Sequence, residues 1–203
     1  MATAAKPALE VPVALPKAAN PGPLGLAAFG VTTVVLSSIN AGLLPPEATA
    51  AVVPLAFAFG GLAQIVTGIL EFANRNTFGT VAFTAYGAFW WWYALLVWTI
   101  GAGWIKPPAA VGVGITLAMW GVFTFYMWIC TFKANKGVFT TFLLLWVTFF
   151  LLAGGDFGWA AGKKMGGFLG LATGVVALYV SFAEMVNATF GKEALPLGKP
   201  VIG

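Results

Sequence analysis

The sequence predicts an all-α integral membrane protein with six transmembrane helices and both termini in the cytoplasm. Three observations carry this. First, 60% of the 203 residues are hydrophobic and 8% are charged, whereas soluble domains carry about 25% charged residues. Ten Lys plus Arg and six Asp plus Glu are too few to cover a soluble surface. Second, these charges divide the chain into uncharged stretches at 18–46, 48–70, 76–105, 107–132, 137–155 and 165–183. Each can hold the ~20 residues that cross about 30 Å of hydrocarbon. Third, the positive residues are unevenly distributed across the loops that six spans would create.

Backbone in lipid must satisfy its own hydrogen bonds, so each span is helical. Trimmed by Pro and Gly, the helices are expected near 24–43, 49–71, 78–100, 109–131, 137–153 and 166–185. Residues 1–22 form a flexible cytoplasmic tail: Pro7, Pro12 and Pro16 alternate with Lys6, Glu10 and Lys17, without the compact apolar core of a signal peptide. A six-helix transmembrane domain is expected over 23–186, with a cytoplasmic C-terminal tail over 187–203. The first span is unusually polar, with Thr32, Thr33, Ser37, Ser38 and Asn40, and should face protein or a water-filled path. The fifth is held together by the run from Leu143 to Leu152.

Lys6, Lys17, Arg75, Lys133, Lys136, Lys192 and Lys199 share one side of this topology, against Lys106, Lys163 and Lys164 on the other. The positive-inside rule then places both termini in the cytoplasm. The formal net charge of +4 needs no nucleic-acid partner: no basic run exceeds Lys163-Lys164, and neither a zinc-finger spacing nor a phosphate-binding glycine loop is present. The chain has no histidine and one cysteine, Cys130, so no histidine metal site, proton relay or intrachain disulfide is available. No metal or cofactor is expected. Loops this short leave no room for a soluble enzyme domain, and no base, nucleophile and metal set is clustered, so the protein is not read as an enzyme. Function belongs in or between the helices.

Gly166, Gly170 and Gly174 recur every four residues and make a small-residue stripe on which another helix packs closely, inside the subunit or across an interface. Trp90, Trp91, Trp92 and Tyr93 point around the whole third span, so some rings meet protein, and lipid-facing ones suit a homo-oligomer. No ionisable residue lies near the middle of a span; Glu71 and Glu184 fall near cytoplasmic helix ends. A permeant would therefore meet hydroxyls, amides, ring edges and helix dipoles, not a midplane countercharge. Candidate path residues are Asn20, Pro21 and Pro23 at the inner mouth, Thr32, Thr33 and Asn40 on the first span, Gln64 on the second, Thr84 on the third and Glu184 on the sixth. Most helical hydroxyls bond to their own backbone, which is the competing structural role. Thr77 is a candidate cap for the third span, and Arg75 anchors topology at the inner mouth.

The stretch Asn20-Pro21-Gly22-Pro23-Leu24-Gly25-Leu26 resembles the Asn-Pro-Ala-Pro-Leu-Gly-Leu signature of the acetate uptake transporter family, the succinate–acetate permeases and their yeast ammonia-export-associated relatives. The resemblance extends over 20–198 and includes Phe59-Gly60-Gly61-Leu62-Ala63-Gln64, Asn76-Thr77-Phe78-Gly79, Phe83-Thr84-Ala85-Tyr86-Gly87 and Leu195-Pro196-Leu197-Gly198. It implies a hexamer in the cell membrane with one solute path per subunit, carrying acetate and in some members succinate, with uptake described as proton-coupled. It also implies a constriction, which falls here on Phe29, Tyr86 and Leu145. The chain departs from the pattern at Gly22, at Ala85 where a Ser is common, and at Ile39, where one permease has His beside the residue matching Asn40. On this reading acetate sheds water at an apolar collar, the Tyr86 hydroxyl donates to its carboxylate, and channel and proton-coupled carrier stay open. The alternative is a structural or sensory membrane protein that moves no solute.

Overall fold

The computed structural model describes residues 18–203, so the expected tail over 1–22 falls almost wholly outside the described residues. Six rods cross the molecule, each long and apolar enough to span a membrane, and no strand occurs among the described residues. They are α1 (Gly22–Asn40), a second rod (Pro46–Ala73), α4 (Thr77–Gly101), α5 (Ala110–Cys130, prolonged to Lys133 by a 3₁₀ turn), α6 (Lys136–Asp156) and α7 (Gly162–Phe190). The second rod is composite: α2 (Thr49–Leu55), a π-helical stretch (Ala56–Ala63) and α3 (Gln64–Ala73).

Helix ends follow local chemistry. Asn76, not Thr77, caps α4, its Oδ1 accepting from Gly79 N at 3.1 Å. Asn76 has the extended backbone of a cap residue, φ −97° and ψ 90°, whereas Thr77 is already the first residue of the helix. Asn135 caps α6 in the same way, accepting from Val138 N at 2.9 Å. Charge counting made α7 too short, because Lys163 and Lys164 lie inside its first turn. Lys163 Nζ pairs with Asp156 Oδ1 at 2.7 Å, clamping the α6–α7 turn.

The π-helical stretch follows Pro54, which lacks a backbone donor inside the helix. Gly60 and Gly61 then let the rod approach α1 and α4 closely: a methyl group on Gly60 would lie 2.8 Å from Thr32 Oγ1 and 2.9 Å from Trp90 Cγ. Trp91 Nε1 donates to Phe57 O at 3.1 Å, tying α4 to this irregular turn.

Around the bundle, α4 lies beside the second rod, the second rod beside α1, α1 beside α7, α7 beside α6 and α6 beside α5, with α5 returning to α4. The glycine stripe packs inside the subunit. Gly166 meets Leu152 of α6, Gly170 meets Ser37 of α1, and Gly174 lies against Gly30 O and Val34. The first span is the most enclosed, with 56% of its window buried against 28–39% for the others, as its hydroxyls require.

Both ends of the described chain lie at one face. Asn74 Nδ2 donates to Ala19 O, and Asn20 Nδ2 to Glu184 Oε2, each at 3.1 Å, so the start of α1 meets the α3–α4 turn and the end of α7. Past Gly191 the chain turns back. Asn187 Oδ1 accepts from Ala194 N and Leu195 N, Gly137 N donates to Leu197 O, and Val201 N donates to Phe132 O.

Candidate functional site

Two cavities lie end to end inside the ring of helices. The larger, about 190 Å³, opens at the face carrying the chain ends and is lined by residues including Asn20, Gln64, Glu71, Phe142 and Glu184. The smaller, about 40 Å³, lies deeper and includes Thr33, Ser37, Asn40, Trp90 and Thr148. Phe29, Tyr86 and Leu145 line both, and they are the residues the two linings share. They come from α1, α4 and α6, which alternate with the other rods around the ring of helices. All three are buried, at 6%, 3% and 5% exposure, and the Phe29 and Tyr86 rings are 6.0 Å apart.

Tyr86 is the centre of an aromatic cluster. Its ring lies 6.0 Å from Trp120, 5.6 Å from Phe123 and 5.9 Å from Phe142. Its hydroxyl does not serve the cavities as expected. Tyr86 Oη donates to Thr124 Oγ1 at 3.0 Å, and Thr124 Oγ1 donates to Trp120 O at 2.7 Å. Thr124 belongs to neither lining. A buried hydroxyl takes a protein partner where one is in reach, because an unsatisfied one costs about 1–3 kcal/mol. The partition thus offers ring and methyl surface.

The mouth of the larger cavity is acidic. A methyl group on Gly22 would lie 3.0 Å from Asn20 Oδ1, 3.3 Å from Glu184 Oε2 and 3.6 Å from Glu71 Oε1, so both carboxylates converge on the start of α1. Asn20 Nδ2 donates to Glu184, and Asn76 Nδ2 to Glu71 Oε2 at 2.9 Å. Asn20 Oδ1 also accepts from Gly22 N at 2.9 Å, fixing the turn of the Asn-Pro-Gly-Pro motif. Deeper in, Gln64 is 1% exposed, and its Oε1 has no hydrogen-bond partner among the described residues. A buried amide oxygen without a partner, on a cavity wall, is available to a bound water or solute.

Of the path residues expected from sequence, Asn20, Gln64 and Glu184 line the larger cavity and Thr33 and Asn40 the smaller. Pro21, Pro23, Thr32 and Thr84 line neither. Pro21 caps α1, and Pro23 O accepts from Ser181 Oγ at 2.6 Å, joining α1 to α7. Thr32 Oγ1 donates to Ala28 O at 2.8 Å and packs against Gly60. Thr84 sits outside, against Gly68 of α3. Sequence reasoning missed Glu71 and Trp90 as lining residues. A carboxylate at the cytoplasmic end of an apolar span was the signal for the first; nothing in a run of four aromatics singled out the second. Among the described residues no group of three His, Cys, Asp or Glu is placed to hold a metal ion.

The comparisons with known proteins agree with this architecture. The model of the GPR1/FUN34/yaaH family matches residues 2–197. The succinate-acetate/proton symporter SatP of Escherichia coli (strain K12) is 39% identical over 184 residues, covering 90% of this chain and 97% of that protein. Acetate permease A of Emericella nidulans is 36% identical over 209 residues, covering 95% and 70%. The solved structure of the bacterial acetate channel SatP superposes with a TM-score of 0.86 at 39% identity, covering 90% of this chain and all of that one. This multi-pass membrane protein therefore belongs to the GPR1/FUN34/yaaH family.

Proposed function

We propose that the protein carries acetate, and other carboxylates of similar size, across the cell membrane through a path inside each subunit. One observation carries the proposal: Phe29, Tyr86 and Leu145 form a thin apolar partition between two cavities that otherwise share no lining residue. An apolar partition makes a solute shed water, and the solutes for which this is cheapest are small and weakly charged. The names borne by relatives, a succinate-acetate/proton symporter, an acetate permease and an acetate channel, point to the same solute class.

We read residues 23–186 as the transport domain. The face with Arg75, Lys133, Lys136, Lys192 and Lys199 is cytoplasmic, because positive loops are retained inside. Assembly as a hexamer is taken over from the family resemblance. Trp98 and Trp104, paired at 5.3 Å on the opposite face, suit the outer interfacial belt. The reading is of a transporter, not of an enzyme.

Glu71 and Glu184 favour a proton-linked cycle over free anion leak. At an effective dielectric near 20, a unit negative charge about 4 Å from an ionised carboxylate is opposed by about 4 kcal/mol. A proton accompanying the solute removes that opposition. The test is labelled-acetate flux into liposomes holding the protein, with and without an imposed pH gradient, with succinate, formate and ammonium as competitors. Saturable flux that acetate itself inhibits and the gradient accelerates supports the reading. Protein-independent flux would return the chain to the structural or sensory alternative.

A further inference from the structure

The start of α6 is capped by residues from beyond α7. The first four N–H groups of a helix have no partner inside it. In α6, Val138 N donates to Asn135 Oδ1 and Phe139 N to Asn135 O. The other two donors go to the segment that follows α7. Gly137 N donates to Leu197 O at 3.1 Å, and Lys136 N to Gly198 O at 3.4 Å. Val201 N and Ile202 N then donate to Phe132 O, at 3.1 and 3.0 Å. Gly198 makes this turn with a φ of +75°, which a side chain would resist.

One side chain fastens the segment. Asn187, in the last turn of α7, accepts at Oδ1 from Ala194 N at 2.8 Å and from Leu195 N at 2.9 Å, and its Nδ2 donates to Leu195 O at 2.8 Å. An amide side chain supplies both the acceptor and the donor that this pattern uses. Tyr179 Oη reaches one residue further, donating to Pro196 O at 2.8 Å. Leu197 turns into the molecule. It is half-buried against the apolar core, and a methyl group on Gly137 would lie 3.8 Å from its Cδ2.

What the segment holds is a wall of the larger cavity. Val138, Thr141, Phe142 and Leu145 of α6 line that cavity, beginning one residue past Gly137. We propose that Asn187 is a positioning residue for transport: through its clasp on the segment at 194–198 it sets where the first turns of α6 stand, and with them the width of the larger cavity and its choice between two- and four-carbon acids. The inference rests on the transport reading above. Asn187 lines neither cavity, so it acts through α6 and not on the solute.

Asn187→Ala removes the clasp, and Leu197→Ala loosens the same segment without touching α7. Asn187→Asp keeps the acceptor and loses the donor. Each is compared with the parent protein by amide hydrogen exchange in the peptides holding Lys136 and Gly137, and by flux of labelled acetate and labelled succinate into liposomes. Both alanine variants should speed exchange at these two amides at least about tenfold. Both should raise the ratio of succinate to acetate flux about three- to tenfold. Asn187→Asp should fall between the parent and Asn187→Ala in both readouts. A purely structural role lowers the two fluxes together and leaves their ratio alone. Faster exchange with an unchanged or lower ratio therefore overturns the positioning role and leaves the transport reading standing. Unchanged exchange in both alanine variants does the same. If Asn187→Ala does not fold, Leu197→Ala decides by the same two readouts. A parent protein without protein-dependent acetate flux overturns the inference and the transport reading together.

Discussion

The hydroxyl of Tyr86 donates to Thr124 Oγ1 at 3.0 Å, across the α4–α5 seam, although its ring lines two cavities. The α4 and α5 rods touch sparsely, so this bond and the rings around it close the bundle on that side. Tyr86→Phe should therefore reduce stability by about 0.5–1.5 kcal/mol, the net worth of one hydrogen bond, and leave acetate flux within about twofold. Thr124→Val strands the Tyr86 hydroxyl in a buried site and should cost more, about 1–3 kcal/mol. Chemical unfolding of the two variants in detergent checks the order.

Selectivity is assigned to the partition's bulk. Phe29→Ala and Leu145→Ala each remove part of the wall shared by the two cavities. Each should raise the flux of four-carbon acids relative to acetate about tenfold, the scale on which a pocket discriminates one or two methylenes. Competition by propionate, butyrate and succinate against labelled acetate provides the measurement.

What was legible in the sequence reflects what lipid does to sequence patterns. Charges are costly in hydrocarbon, so their spacing gave six spans and the shared side of the chain ends. Phe29, Tyr86 and Leu145 could be named in advance only through the family resemblance, and all three line both cavities. Which face of each helix points inward was far less legible. In a soluble helix the buried face is the apolar one, but here core and lipid faces are both apolar. Thr84 and Thr33 look alike as isolated hydroxyls, yet one lies outside against Gly68 and the other lines a cavity. Trp90 and Trp91 are neighbours in sequence, but one lines the smaller cavity and the other donates to Phe57 O. The Tyr86–Thr124 bond joins residues 38 apart and has no local signal. Nor does the π-helical stretch, whose contacts with Thr32 and Trp90 are set by packing.

Close approach of α7 and α1 depends on Gly174. A methyl group there would lie 2.7 Å from Val34 Cγ2 and 3.0 Å from Gly30 O, the second a backbone atom that cannot turn aside. Gly174→Ala is expected to destabilise by about 2–3 kcal/mol through overpacking. Gly112, in α5, has nothing within 4 Å of the same position, and Gly112→Ala should be neutral or stabilise by up to about 1 kcal/mol. Thermal midpoints of the pair check the contrast.

The acidic mouth should slow anion entry. Glu184→Gln keeps an acceptor for Asn20 Nδ2 and removes one of the two carboxyl groups facing Gly22. Acetate entry from that face should rise about two- to fivefold in dilute salt, a figure reduced for the partial exposure of Glu184. The gain should shrink at about 1 M salt, where the Debye length falls to ~3 Å. Initial rates at the two salt concentrations give the comparison.

The central claim is that solute crosses each subunit between Phe29, Tyr86 and Leu145. Leu145→Trp fills that partition from α6 and alters neither the acidic mouth nor the faces of α4 and α5. Labelled-acetate flux into liposomes, normalised to folded protein, should fall at least about tenfold in this variant. Undiminished flux through a folded Leu145→Trp protein would place the path elsewhere.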